Sequence, residues 1–160
     1  MPLLVRCLPC RGSFIIHASV FNLLSLSLIN RSPNRVKNMQ IEIFTACDIA
    51  QLISGKVVLS GTFHFINATD FPVKSTFAVV IAMSLSEEEI NQEQHLVLKC
   101  VSPSGEVLFE PEQKFAPNEP YVSFVINLRD ILLSTEGVYR LELYWNGSCE
   151  QVFSFTAKKQ

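Results

Sequence analysis

A chain of 160 residues that is 48% hydrophobic has room for one domain with a core that needs no staples. Its formal charge of −2 and pI near 5.9 leave no basic field for a phosphate backbone, which argues against nucleic acid as a partner. No Gly-rich phosphate loop, paired-cysteine metal site or nucleophile elbow occurs in it, so no catalytic residue, metal or cofactor is expected and the chain is read as a non-enzyme.

Residues 1–38 differ in character from the rest. Arg6, Arg11, Arg31, Arg35 and Lys37 occur there without an acidic residue, around an apolar patch from Phe14 to Ile29. The patch lacks the small-residue cleavage pattern of a signal peptide, and His17, Asn22, Ser25 and Ser27 interrupt it as a membrane span. Met39 stands immediately before the first clean strand pattern. The expectation is therefore a start at Met39, an amino-terminal extension over 1–38 outside the fold, and one β-sandwich domain over 39–160. Membrane contact is expected only if that extension is retained. Cys7-Leu-Pro-Cys10 has the spacing of a redox motif but no strand–helix–strand unit around it. Cys47, Cys100 and Cys149 lie in or beside apolar strands, where a reduced cysteine acts as a small hydrophobe, so no disulfide framework is expected.

The domain opens with a strand pattern over Gln40 to Thr45, Ile41 and Ile43 sharing one face. Asp48-Ile-Ala-Gln51 then has a capping residue followed three positions later by Gln, which predicts one short helical turn ending near Ser54-Gly55. From Lys56 to Ile66 a strand alternates Val57, Leu59, Phe63 and Phe65 with Ser60, Thr62 and His64, and Gly61 marks a bulge or close approach at its centre. Val73 to Leu85 is apolar on both parities, the pattern of a central strand covered on both sides or of an interface. Ser86 to Gln94 reads as a solvated acidic loop, and His95 to Val101 pairs with Glu106 to Glu110 across Ser102-Pro-Ser-Gly105.

Tyr121 to Leu128 alternates again, and Val138 to Trp145 joins Ser148 to Thr156 across Asn146-Gly147. A strict two-residue loop would send Phe153 and Phe155 to the face opposite Leu141, so a bulged or three-residue connection with Gly147 at positive φ is expected. Glu136-Gly137-Val138-Tyr139-Arg140-Leu141 has the form of a tyrosine corner, with Leu141 where an antibody domain carries Cys. These elements predict an all-β, two-sheet, Ig-like sandwich of seven or eight strands. Asp48, Gly55, Gly61, Gly137, Tyr139 and Gly147 are assigned structural roles.

Cys47-Asp48-x-Ala50, Gly55-Lys56-x-x-x-x-Gly61-x-Phe63, Phe71-Pro72, Gly137-x-Tyr139-Arg140 and the Asn146-Gly147 turn together resemble an uncharacterised bacterial family of unknown function (DUF6941-like) over residues 39–157. The resemblance implies a β-sandwich and supplies no activity, substrate or cofactor.

Candidate sites are few. Asp48 beside Cys47 suggests half of a reactive pair, against its simpler reading as an N-cap. His64 and His95 have no partner at metal-ligand spacing, and Glu87-Glu88-Glu89 with Glu93 lacks the spacing of a calcium loop. Ser102 and Ser104 flank a proline in a turn with nothing to activate them. Tyr144, Trp145 and Asn146, at the tip of the last hairpin, are the candidate binding residues, against the alternative that Trp145 closes the core. The reading is a non-catalytic, cytoplasmic binding or accessory module that meets a protein partner, or a second copy of itself, through a loop end or a sheet edge. The alternative is a small-ligand-binding or enzymatic domain in which Asp48 meets a histidine, and a pocket holding both would favour it.

Overall fold

The computed structural model describes residues 3–6, 13–20 and 39–160. The described elements are strands, in chain order β1 (Leu3–Arg6), β2 (Ser13–Val20), β3 (Gln40–Ile53), β4 (Lys56–Thr62), β5 (Phe65–Ala68), β6 (Val73–Ser84), β7 (Gln94–Val101), β8 (Val107–Phe109), β9 (Glu112–Phe115), β10 (Tyr121–Leu133), β11 (Gly137–Trp145) and β12 (Ser148–Lys159). One sheet runs β1-β2-β10-β6-β3-β4, and the other runs β5-β12-β11-β7-β8 with β9 also on β7. The ladders are antiparallel except that β5 lies parallel to β12.

The sandwich closes because one parity of each strand is apolar. Phe44 and Ala46 of β3, Phe77, Val79, Ile81 and Met83 of β6, and Val122, Phe124, Ile126 and Leu128 of β10 meet Leu96 and Leu98 of β7, Tyr139, Leu141, Leu143 and Trp145 of β11, and Phe155 of β12 in one buried cluster. Each such side chain contributes about 1.5–3 kcal/mol on burial, and together they outweigh local preferences of the chain. The rings of Phe63, Phe77 and Phe155 meet edge to face with centroids 5.7–6.0 Å apart, and Tyr139 stacks on Phe155 at 5.4 Å. The Tyr139 hydroxyl donates to the Thr135 carbonyl at 2.8 Å and accepts from the Thr135 N–H at 3.3 Å. That is the local geometry of a tyrosine corner. The fold is an all-β, two-sheet, immunoglobulin-like sandwich.

Several local expectations are corrected. No helical turn forms at Asp48–Gln51; β3 continues through it to Ile53, because β4 offers a ladder partner for each residue from Ile49 to Ile53. Ser54 and Gly55, at φ +47° and +68°, form a two-residue hairpin turn of the type that needs two left-handed residues. The predicted strand Lys56 to Ile66 divides at Phe63-His64, where Phe63 drops into the core, and its halves enter different sheets. More strands result than the seven or eight expected, since β5, β8 and β9 are short pieces on the second sheet.

The final hairpin has the expected positive φ at Gly147 and the expected faces, but not the expected bulged or three-residue connection. Trp145 pairs with Ser148 across a strict two-residue turn, with Asn146 at φ +49° and Gly147 at +86°. The extra residue sits further along: Tyr144 faces Cys149 while Leu143 faces Gln151, which leaves Glu150 as a bulge. The shift restores the faces, setting Leu141 opposite Phe153 and Tyr139 opposite Phe155. Residues 1–38 are expected outside the fold, whereas β2 lines β10 with His17 opposite Val125, and β1 pairs with β2. An edge strand of this kind needs only the unpaired backbone groups of its neighbour. The Cys7–Cys10 pair lies outside the described residues.

Candidate functional site

The hairpin tip that the sequence nominates is fastened inward. Trp145 is buried, packs edge to face on Phe115 at 5.8 Å, and donates from Nε1 to Glu89 Oε1 at 3.1 Å. Glu89 Oε2 accepts from the Ser86 N–H and hydroxyl, both at 2.8 Å. The Glu89 N–H donates in turn to the Ser86 carbonyl at 3.1 Å, which closes a turn inside the acidic loop. Asn146 Oδ1 accepts from the His95 N–H at 2.9 Å, while its Nδ2 donates to Gln94 Oε1 at 2.7 Å. Tyr144 donates to Glu142 Oε2 at 2.9 Å, and the accepting carboxylate pushes its phenol up. Lys99 Nζ lies 5.1 Å from that ring. These side chains hold the acidic loop against the end of the sandwich, and the acidic loop itself is ordered rather than merely solvated.

The histidines are likewise engaged elsewhere. His64 stacks on Phe153 at 5.3 Å, and His95 Nε2 lies 3.1 Å from Glu112 Oε2. Neither His64 nor His95 joins Asp48, so an Asp–His site built on either of them is not assembled. Cys47 and Cys100 are buried and Cys149 is exposed, all three with free thiols. Burial pushes the Cys47 thiol up and the Cys100 thiol up to about 12, the reverse of what a nucleophile needs. No group of three or more potential metal ligands occurs among the described residues.

A different place stands out on the far face of the first sheet. Strand β3 pairs with β6 only as far as Cys47 opposite Ala78; beyond it β3 pairs with β4 alone, as a two-stranded ribbon. The even-numbered face of β3 points into the sandwich at Phe44 and Ala46, yet Ala50 belongs to a second cluster with Cys47, Ala78, Val80 and Val125. The faces of β3 therefore exchange between Cys47 and Ala50. At this crossing Gly61 holds φ +72°, and the Asp48 side chain lies across it where a Cβ would stand. Leu52, Val57 and Leu59 of the ribbon pack on the outer cluster, which explains why Val73–Leu85 is apolar on both parities.

Two surfaces follow. On the ribbon's outward face Ile49, Ile53 and Val58 are 61%, 51% and 52% exposed, and β4 is the last strand of its sheet among the described residues. Between the ribbon and β10 lies an open depression of about 490 Å³. Its floor is Ala50, Leu52 and Val125; Asp48, Ile49 and Gln51 line it from the ribbon, and Thr76, Asn127 and Arg129 from β6 and β10. At the end of that wall β10 bulges: Leu128 pairs with Phe77 but Ile131 with Ser75, and Asp130 stands at φ +55°. Of these residues the sequence reading nominated only Asp48 as a candidate site residue. A signal for the rest exists, because the apolar parity of β10 switches from Val122, Phe124, Ile126 and Leu128 to Ile131 and Leu133, which marks a bulge at Arg129-Asp130.

No helix of the described residues is long and apolar enough to cross a membrane. No curated protein matches the chain. Among solved structures it is similar to an alkylpurine DNA glycosylase of Pseudomonas fluorescens bound to DNA containing an abasic-site analogue, at 11% identity and a TM-score of 0.48, over 76% of this chain and 30% of that one. It is also similar to an immunoglobulin-like protein of Pseudomonas aeruginosa, at 17% identity and a TM-score of 0.43, over 78% of this chain and 100% of that one. This chain thus spans under a third of the length of the glycosylase. Residues 42–158 match a family of unknown function, DUF6941, and the chain belongs to that family.

Proposed function

We propose that this domain is a non-catalytic binding module that receives a strand of a partner protein on the free edge of β4. The observation that carries the reading is the apolar outward face of the ribbon, Ile49, Ile53 and Val58, beside an edge strand with no further neighbour among the described residues. Natural edges are usually blunted by charge, proline or brevity. Over its seven residues β4 carries no proline, and its sole charge is Lys56 at one end. A strand added there would gain main-chain hydrogen bonds from the edge and side-chain contact from the apolar row. The module is placed in the cytoplasm, a compartment with which the free, exposed thiol of Cys149 is compatible.

The test is photo-crosslinking in cells of the native host, with a benzophenone amino acid at position 58 and, as a control, at Val138, which is equally exposed on the other sheet. The expected result is a crosslink to one defined protein at 58 and not at 138, lost on adding Ile53→Lys. A crosslink of the chain to itself would replace the partner by a second copy, and equal labelling at both positions would overturn the edge reading.

A further inference from the structure

The depression beneath the ribbon carries an inference that does not depend on the β4 edge. Its walls present one cation and one carboxylate, Arg129 and Asp48, and neither makes an ion pair or side-chain hydrogen bond among the described residues. Three other basic side chains of the sandwich do pair with carboxylates: Lys99 with Glu110, Arg140 with Glu142 and Lys159 with Asp70. Both unpaired groups are set by irregular backbone. Arg129 belongs to the β10 bulge, completed by Asp130, a non-glycine residue at φ +55°. Asp48 lies over Gly61, the position at which the ribbon's faces exchange. Bulges re-aim side chains, and backbone held in a sparsely populated region is concentrated at binding sites.

The geometry points to a site for a small zwitterion of the amino-acid class, its carboxylate on the Arg129 guanidinium, its ammonium on Asp48, and its apolar side chain on the floor. Guanidinium and carboxylate match as a two-pronged pair, which an ammonium in place of Arg129 would not reproduce. Asn127 and Thr76 stand on the same wall as Arg129 and supply neutral donors for the carboxylate, while the Gln51 amide flanks Asp48. Ala50, Leu52 and Val125 provide apolar contact. A depression of about 490 Å³ falls in the size range of small-molecule sites.

Three probes separate the contributions: L-leucine carries both charges, N-acetyl-L-leucine only the carboxylate, and L-leucinamide only the ammonium. Each is titrated into the full-length, ¹⁵N-labelled chain and followed by amide shifts. The expected result is that L-leucine moves residues 48–52 and 125–129, that each singly charged probe binds about tenfold more weakly, and that Arg129→Gln removes about the same factor for L-leucine, as the loss of one charge-assisted contact implies. Asp48→Asn should weaken L-leucine while leaving N-acetyl-L-leucine unchanged, and Arg140→Gln, outside the depression, should change neither. Equal binding of N-acetyl-L-leucine and L-leucine would assign the site to a free carboxylate such as a peptide end and overturn the zwitterion. No shift with millimolar L-leucine, or shifts indifferent to Arg129→Gln, would overturn the site. Ile53→Lys lies outside the depression and is read in the crosslinking experiment alone, so failure of either proposal leaves the other standing.

Discussion

Substituting Gly61 by alanine tests whether the crossing of Asp48 over β4 is what shapes the ribbon. Two costs are expected. The first is conformational: Gly61 stands at φ +72°, where an L side chain costs about 1–2 kcal/mol relative to glycine. The second is contact: a Cβ there would lie 2.8 Å from Asp48 Cγ and 3.0 Å from its Cβ, so the exposed aspartate must leave its rotamer at about 0.5–1.5 kcal/mol. Urea denaturation of Gly61→Ala should therefore show a loss of about 1.5–3.5 kcal/mol with an unchanged slope. Combining it with Asp48→Ala should recover only the smaller part, because the backbone cost does not involve Asp48. The sign decides the matter. At an unstrained site Gly→Ala stabilises by about 0.4–1 kcal/mol through the unfolded chain, and a neutral or stabilising result here would refute the left-handed hinge.

Further outcomes are expected elsewhere. Tyr139→Phe keeps the stack on Phe155 but removes the hydroxyl that donates to the Thr135 carbonyl, and should lower stability by about 0.5–1.5 kcal/mol in the same assay; a change near zero would remove the tyrosine corner as a structural element. Among the thiols of 39–160, iodoacetamide followed by peptide mass mapping should modify Cys149 in the native protein and Cys47 and Cys100 only after unfolding. Because burial raises the Cys100 thiol to about 12, its thiolate is scarce at neutral pH, and raising the pH to 9 should leave it unreactive. Rapid native labelling of Cys100 would contradict its burial.

What the sequence determines here is what depends on one strand at a time. Alternation over β3, β4, β10 and β11 marks the buried faces, because a period of two sets the face of each residue without reference to its neighbours. The Gly137-x-Tyr139 corner is legible for the same reason, since the Tyr139 hydroxyl bonds only four residues upstream. Tertiary structure decides wherever one local signal serves two ends. Ser54-Gly55 suits a helix terminus as well as a two-residue hairpin turn, and β4, arriving as a ladder partner, selects the turn. At Asn146-Gly147 the tight turn and the buried faces of Phe153 and Phe155 conflict only if the register stays uniform, and the bulge at Glu150 removes the conflict two residues beyond the turn. Trp145 is surface or core according to whether Glu89, 56 residues earlier, receives its indole N–H. The depression between β3 and β10 is the least legible feature, because Asp48 and Arg129 are brought to it by two strands that β6 separates and by a ribbon that turns back over the sheet, and no pattern within either strand encodes that meeting.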